Sequence, residues 1–290
     1  MMDILRIGAV RCGALGAAAL LSLVATGASA EEVAEPPVGI VENPCIGAPV
    51  LPVVVRDYFR GIMDPALSTG AAMPAAEYAG YRTAADEHKK RDWAALCYYR
   101  ADNARVAALP QDERRVVYIG DSITELWGVA AGDFFRDGRI NRGISGQTGE
   151  GMVVRFVADV VALKPRMVHI LAGTNDIAGN DGARSEQDLR NNIIAMASIA
   201  RANGIAVVLA SLPPAAAFPW RPGIKPAAQI RAHNRWLADY ARQTGAVFVD
   251  YYSLLATEEG AMQPALTFDG VHLNAAGYRK IEALSRAATR

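Results

Sequence analysis

Five short apolar runs punctuate the second half of this chain: Val116 to Ile119, a segment near Arg139 to Asn141, Met167 to Leu171, Ala206 to Leu212, and Val247 to Asp250. Between them lie stretches of helical length and periodicity: Gly149 to Leu163, Ser185 to Asn203, and Pro226 to Thr244, with Asn274 to Arg290 closing the chain. Strands separated by whole helices cannot pair as hairpins; crossovers make them parallel and cover both faces of the sheet. The pattern predicts an α/β fold, a three-layer α/β/α sandwich around a five-stranded parallel sheet.

In such a sheet, ligands sit beyond the carboxyl ends of the strands. The loops there are polar and glycine-rich: Gly120-Asp121-Ser122-Ile123-Thr124, then Asn141 through Ser145, Gly146, Gln147 and Thr148, then Gly173-Thr174-Asn175-Asp176. A proline-rich loop, Pro213 to Pro226, follows the fourth run and reads as a site wall.

Near the far end stands Asp269-Gly270-Val271-His272. A serine hydroxyl is a weak nucleophile until an imidazole removes its proton, and the imidazole works best when a carboxylate orients it. Asp269 and His272, three apart, can be held on one side of a short loop. Ser122 also fits a plain structural role, since Ser122-Ile123-Thr124-Glu125 matches a capping box. A serine at a helix start, however, lies beside backbone amides that can stabilise an oxyanion. Gly146 can relieve a turn or let its amide approach a tetrahedral intermediate. Asn175 can cap a turn or donate to a developing oxyanion. Of the four histidines, His88 and His233 fall in helical stretches and His169 inside an apolar run, which leaves His272 as the best-placed base.

Together these blocks resemble the SGNH, or GDSL, family of serine esterases and lipases over residues 115 to 290. The resemblance implies a flavodoxin-like SGNH hydrolase fold, with Ser122 as nucleophile and Asp269 and His272 as acid and base. Gly146 and Asn175 would complete an oxyanion hole with the Ser122 amide. The first block has isoleucine where the family name has leucine, an aliphatic exchange touching no catalytic atom. It is not the Gly-x-Ser-x-Gly elbow of the α/β-hydrolases, because position 124 is Thr.

Residues 1 to 30 have Arg6 and Arg11 ahead of an Ala/Leu-rich core ending at Ala28-Ser29-Ala30, the pattern of a signal peptide, so a periplasmic or secreted protein without a stable membrane anchor is expected. Cleavage there removes Cys12 and leaves Cys45 and Cys97 in an oxidising compartment, either bridged, as expected, or as separate buried thiols. Residues 31 to 110 read as an N-terminal arm followed by a helix from Thr83 to Leu109, packing on a hydrolase domain at 111 to 290.

Thirty basic residues balance thirty acidic ones, which nominates no nucleic-acid partner, and His88 to Arg91 reads as a solvated helix face. No metal or cofactor is implied. The expected partner is a small-molecule ester. With 7% aromatic residues, short acyl groups such as acetyl esters on carbohydrate are favoured, and Trp127, Phe218, Trp220 and Arg221 are the expected wall residues. A lysophospholipase or thioesterase with a longer acyl pocket would use the same constellation, and a non-catalytic carbohydrate-binding relative is the reading from another class.

Overall fold

The computed structural model describes residues 38–290; the expected signal segment lies outside them. The chain enters through α1 (Val53–Met63), α2 (Ala75–Lys89) and α3 (Arg100–Ala107), then alternates: β1 (Val116–Gly120), α4 (Ser122–Ala130), β2 (Arg139–Gly143), α5 (Gly149–Asp159), β3 (Met167–Leu171), α6 (Thr174–Ile177), α7 (Glu186–Ala202), β4 (Ala206–Ala210), α8 (Ala227–Thr244), β5 (Val247–Val249), α9 (Tyr252–Leu255) and α10 (Ala275–Ala288). All strand pairs are parallel, in the order β2-β1-β3-β4-β5.

Strand alternation divides the core. Tyr118, Leu171, Val208 and Ala210 face a layer holding α4 and α10, where Trp127, Tyr278 and Ile281 are buried. Val117, Ile119, Val168, Ile170, Val207 and Leu209 face α3, α5, α7 and α8. Both faces being covered explains why the strands read as continuous apolar runs.

One expected helix is corrected. Thr83 to Leu109 is two helices, α2 and α3, separated by turns from Lys90 to Tyr99. Ala95 takes a left-handed φ of 57°, and the Asp92 carboxylate accepts from the Leu96 and Cys97 amides at 2.8 and 2.9 Å, so side-chain capping replaces the helical ladder there. Cys97 is bonded to Cys45, with Cα atoms 5.3 Å apart. His88 is corrected too: it is buried rather than part of a solvated face.

This N-terminal segment docks against the second loop. The Tyr99 hydroxyl donates to the Gly143 carbonyl, and Gln147 Nε2 donates to the Ala94 carbonyl at 3.0 Å. Arg142 lies 4.6 Å over the Tyr99 ring, and its Nε donates to Asn103.

Candidate active site

The strand order reverses at β1, between β2 and β3, so the loops after these three strands open into one crevice. Gly120 ends β1 with no room for a side chain: a Cβ there would lie 2.8 Å from the Leu171 carbonyl and nearer still to Thr124. Asp121, not Ser122, caps α4; its Oδ1 accepts from the Ile123 amide at 2.9 Å. The helix cap thus sits one residue before the serine and is a single side-chain bond, not the expected capping box. Ser122 becomes the first helical residue with its hydroxyl free, and Glu125 turns elsewhere, accepting from Tyr98 Oη and from the amide and hydroxyl of Ser145.

Ser122 Oγ lies 2.8 Å from His272 Nε2, and His272 Nδ1 lies 2.6 Å from Asp269 Oδ2. The other Asp269 oxygen accepts from the amides of Val271 and His272 at 2.9 and 2.7 Å, fixing the carboxylate against the loop that carries the imidazole. Burial works to raise the Asp269 pKa, but the hydrogen bond and charge of His272 and these amides hold it below the ordinary value. Thr267 closes the loop, its hydroxyl donating to the His272 carbonyl at 2.6 Å, and Asn274 caps α10 directly after it. The Phe268 ring stacks on the imidazole at 5.7 Å, and Trp220 tilts over it at 5.9 Å.

Gly146 takes a φ of 79°, which a side chain would strain, and nothing stands within 4 Å of where its Cβ would be. The buried Asn175 side chain donates from Nδ2 to the Gln147 carbonyl at 3.1 Å and to Asp121 Oδ2 at 3.3 Å, and accepts from Asn180 Nδ2 at 2.7 Å. Asp121 itself is wholly buried, and desolvation pushes its carboxyl up to about 7. Asp176, raised to about 6 chiefly by burial, receives the Gly149 amide on both oxygens at 3.1 and 3.0 Å, at the start of α5.

Of the four expected wall residues, two belong to the core. Trp127 has no exposed surface and stacks between Phe134 and Tyr278, while Phe218 is 1% exposed beneath Trp220. Apolar rings that size gain more from burial than from lining a wet cleft. Trp220 and Arg221 are at the surface. His169 is a core residue: its Nε2 meets the Tyr251 hydroxyl at 3.0 Å, and burial lowers its pKa to about 3. Asn180 carried no sequence signal beyond its place in a polar loop, yet it touches Asn175, Gly146 and Trp220.

Among the described residues, one group of metal-ligating side chains converges, His88, Asp92 and Cys97, but the Cys97 sulfur is engaged in the disulfide. No described helix is long and apolar enough to cross a membrane. Two surface depressions, of about 460 and 730 Å³, lie along the edge strand β2, and Ser122, Asn175 and His272 bound neither. The geometry around Ser122 can do one kind of chemistry well: the imidazole can take the hydroxyl proton while the carboxylate holds the ring.

The model of the GDSL-like lipase/acylhydrolase family matches residues 118–280. A candidate acylhydrolase of Bacteroides fragilis NCTC 9343 is 44% identical with a TM-score of 0.66, over 68% of this chain and 96% of that one. A GDSL-like lipase of Bacteroides thetaiotaomicron VPI-5482 is also 44% identical, with a TM-score of 0.65, over 68% and 97%. The uncharacterized lipoprotein YqeF of Bacillus subtilis (strain 168) is 37% identical over 73 residues, 24% of this chain; the chain spans about a third of that relative's length, 30%.

Proposed function

Because the chain belongs to the GDSL-like lipase/acylhydrolase family, we propose that it hydrolyses carboxylic esters through an acyl-enzyme on Ser122 and that its substrates carry short acyl groups, acetyl esters of carbohydrates among them. The observation that carries this reading is the unbroken chain from Ser122 Oγ through His272 to Asp269, at 2.8 and 2.6 Å. His272 takes the serine proton as Oγ attacks the carbonyl carbon, then gives it to the leaving alcohol. Water, deprotonated by the same nitrogen, releases the acid.

The oxyanion would rest on the Ser122 and Gly146 amides and on Asn175 Nδ2, whose longer bond, to Asp121 at 3.3 Å, is the one to yield. Trp220 beside His272 supports a site closed to long chains on that side. Export is supported by the Cys45–Cys97 disulfide, since such bonds persist in oxidising compartments.

Hydrolysis of p-nitrophenyl esters from acetate to decanoate tests both parts. Activity should be highest on acetate and fall with chain length, and Ser122→Ala should lose about a thousandfold or more in kcat. Undiminished turnover in Ser122→Ala would remove the serine from the mechanism. A profile rising toward decanoate would favour a long-acyl hydrolase.

A further inference from the structure

Asn180 has every polar atom of its side chain engaged, and its partners lie on both sides of the site. Its Oδ1 accepts from Trp220 Nε1 at 3.0 Å, and its Nδ2 donates to Asn175 Oδ1 at 2.7 Å and to the Gly146 carbonyl at 3.3 Å. Its backbone amide also donates to the Asn175 carbonyl at 3.1 Å. An indole nitrogen donates and cannot accept, so the Asn180 carbonyl must face Trp220 and its amino group must face Asn175. Asn175 must then present its carbonyl to Asn180 and its amino group the other way, toward the Gln147 carbonyl and Asp121.

We infer that Asn180 is a positioning residue for ester hydrolysis: it transmits the sense of the Trp220 donor to the Asn175 amide and so holds Nδ2 where the oxyanion forms. The inference rests on the reading of Asn175 as an oxyanion donor. The Gly146 contact, made to its carbonyl, ties that loop to the same hub, and the Trp220 bond anchors the aromatic ring beside His272. A pre-aimed donor needs little reorganisation as charge develops, here only the release of the longer bond to Asp121.

Asn180→Asp is the discriminating substitution, because it keeps shape and the acceptor for Trp220 but replaces the amino group with an oxygen that repels Asn175 Oδ1. Asn175 then has no orientation that satisfies both neighbours, since turning it over would face its carbonyl to Gln147 O and Asp121. On p-nitrophenyl acetate, Asn180→Asp should lower kcat about tenfold or more while KM stays within about threefold, the signature of an interaction made in the transition state. Trp220→Phe, which keeps a ring and removes the indole N–H, should lower kcat in the same sense by a smaller factor.

Placed in an Asn175→Ala background, Asn180→Asp should cost less than about twofold, because the group it aims is gone. Thermal melts of each variant establish that it is folded. If Asn175→Ala is impaired but Asn180→Asp keeps wild-type kcat, or costs the same factor in both backgrounds, the positioning role is overturned. If Asn175→Ala alone turns over at the wild-type rate, it is the oxyanion reading that fails, and this inference with it.

Discussion

A one-residue difference decides what Ser122 can do. Asp121 supplies the helix cap, so the serine hydroxyl has no structural bond to break before it reaches His272. At this scale burial also leaves a mark on stability. His233 is buried with neither ring nitrogen partnered, and desolvation, helped by the charge of Arg190, lowers its pKa to about 4 from an ordinary 6.5. Between those values the unfolded chain binds the proton and the folded one does not, so stability is full above about pH 6.5 and is lost as pH falls toward 4. His233→Leu should therefore gain about 2 kcal/mol more at pH 5 than at pH 8, measured by urea denaturation at both. An equal effect at the two pH values would show that the imidazole is not held neutral. Ser122, Asp269 and His272 were legible because a hydroxyl, a carboxylate and an imidazole in polar loops leave few other roles. Trp127 and Phe218 were not, since a tryptophan or phenylalanine near a loop looks the same whether it faces the cleft or the core.

At the scale of elements, the crossover helices announced their own ends. Ser185 caps α7 in a capping box with Asp188, Asn274 caps α10, and Gly245 ends α8 in a left-handed turn, all within a residue of the expected boundaries. The break between α2 and α3 had no such marker: alanine at a φ of 57° is a conformation its residue type resists, and it is imposed by Asp92 and the disulfide around it. α5 carries a less visible device in Arg155, fully buried, whose guanidinium donates to Gln147 Oε1 at 2.6 Å, to Asp159 at 2.8 Å and to the Gly120 carbonyl at 3.1 Å. It braces the end of β1 and the Gly146 loop at once. Arg155→Met leaves Asp159 buried and short of its cation, and should cost about 3–5 kcal/mol in chemical denaturation. Pairing it with Asp159→Leu should return part of that loss, whereas an additive penalty would show that the two side chains do not act as a pair.

Across the whole molecule, the disulfide closes a loop spanning 52 positions that contains α1 and α2, and the same N-terminal segment contacts Glu125, Gly143 and Gln147 around the second loop. Reduction should lower stability by about 2–4 kcal/mol, seen as an earlier denaturation midpoint in the presence of dithiothreitol. An unchanged midpoint would mean that the arm around Cys45 comes away independently of the rest. The contacts of this segment with Glu125, Gly143 and Gln147 could not be foreseen from periodicity, because they are isolated hydrogen bonds of polar side chains.

The Ser122 hydroxyl and the imidazole it meets stand 150 positions apart along the chain. A ribosome must therefore deliver nearly the entire polypeptide before hydrolysis can begin, and a chain that stops short of His272 carries a serine with nothing to deprotonate it. Under the proposed mechanism, synthesis itself thus leaves an unfinished chain unable to cleave an ester.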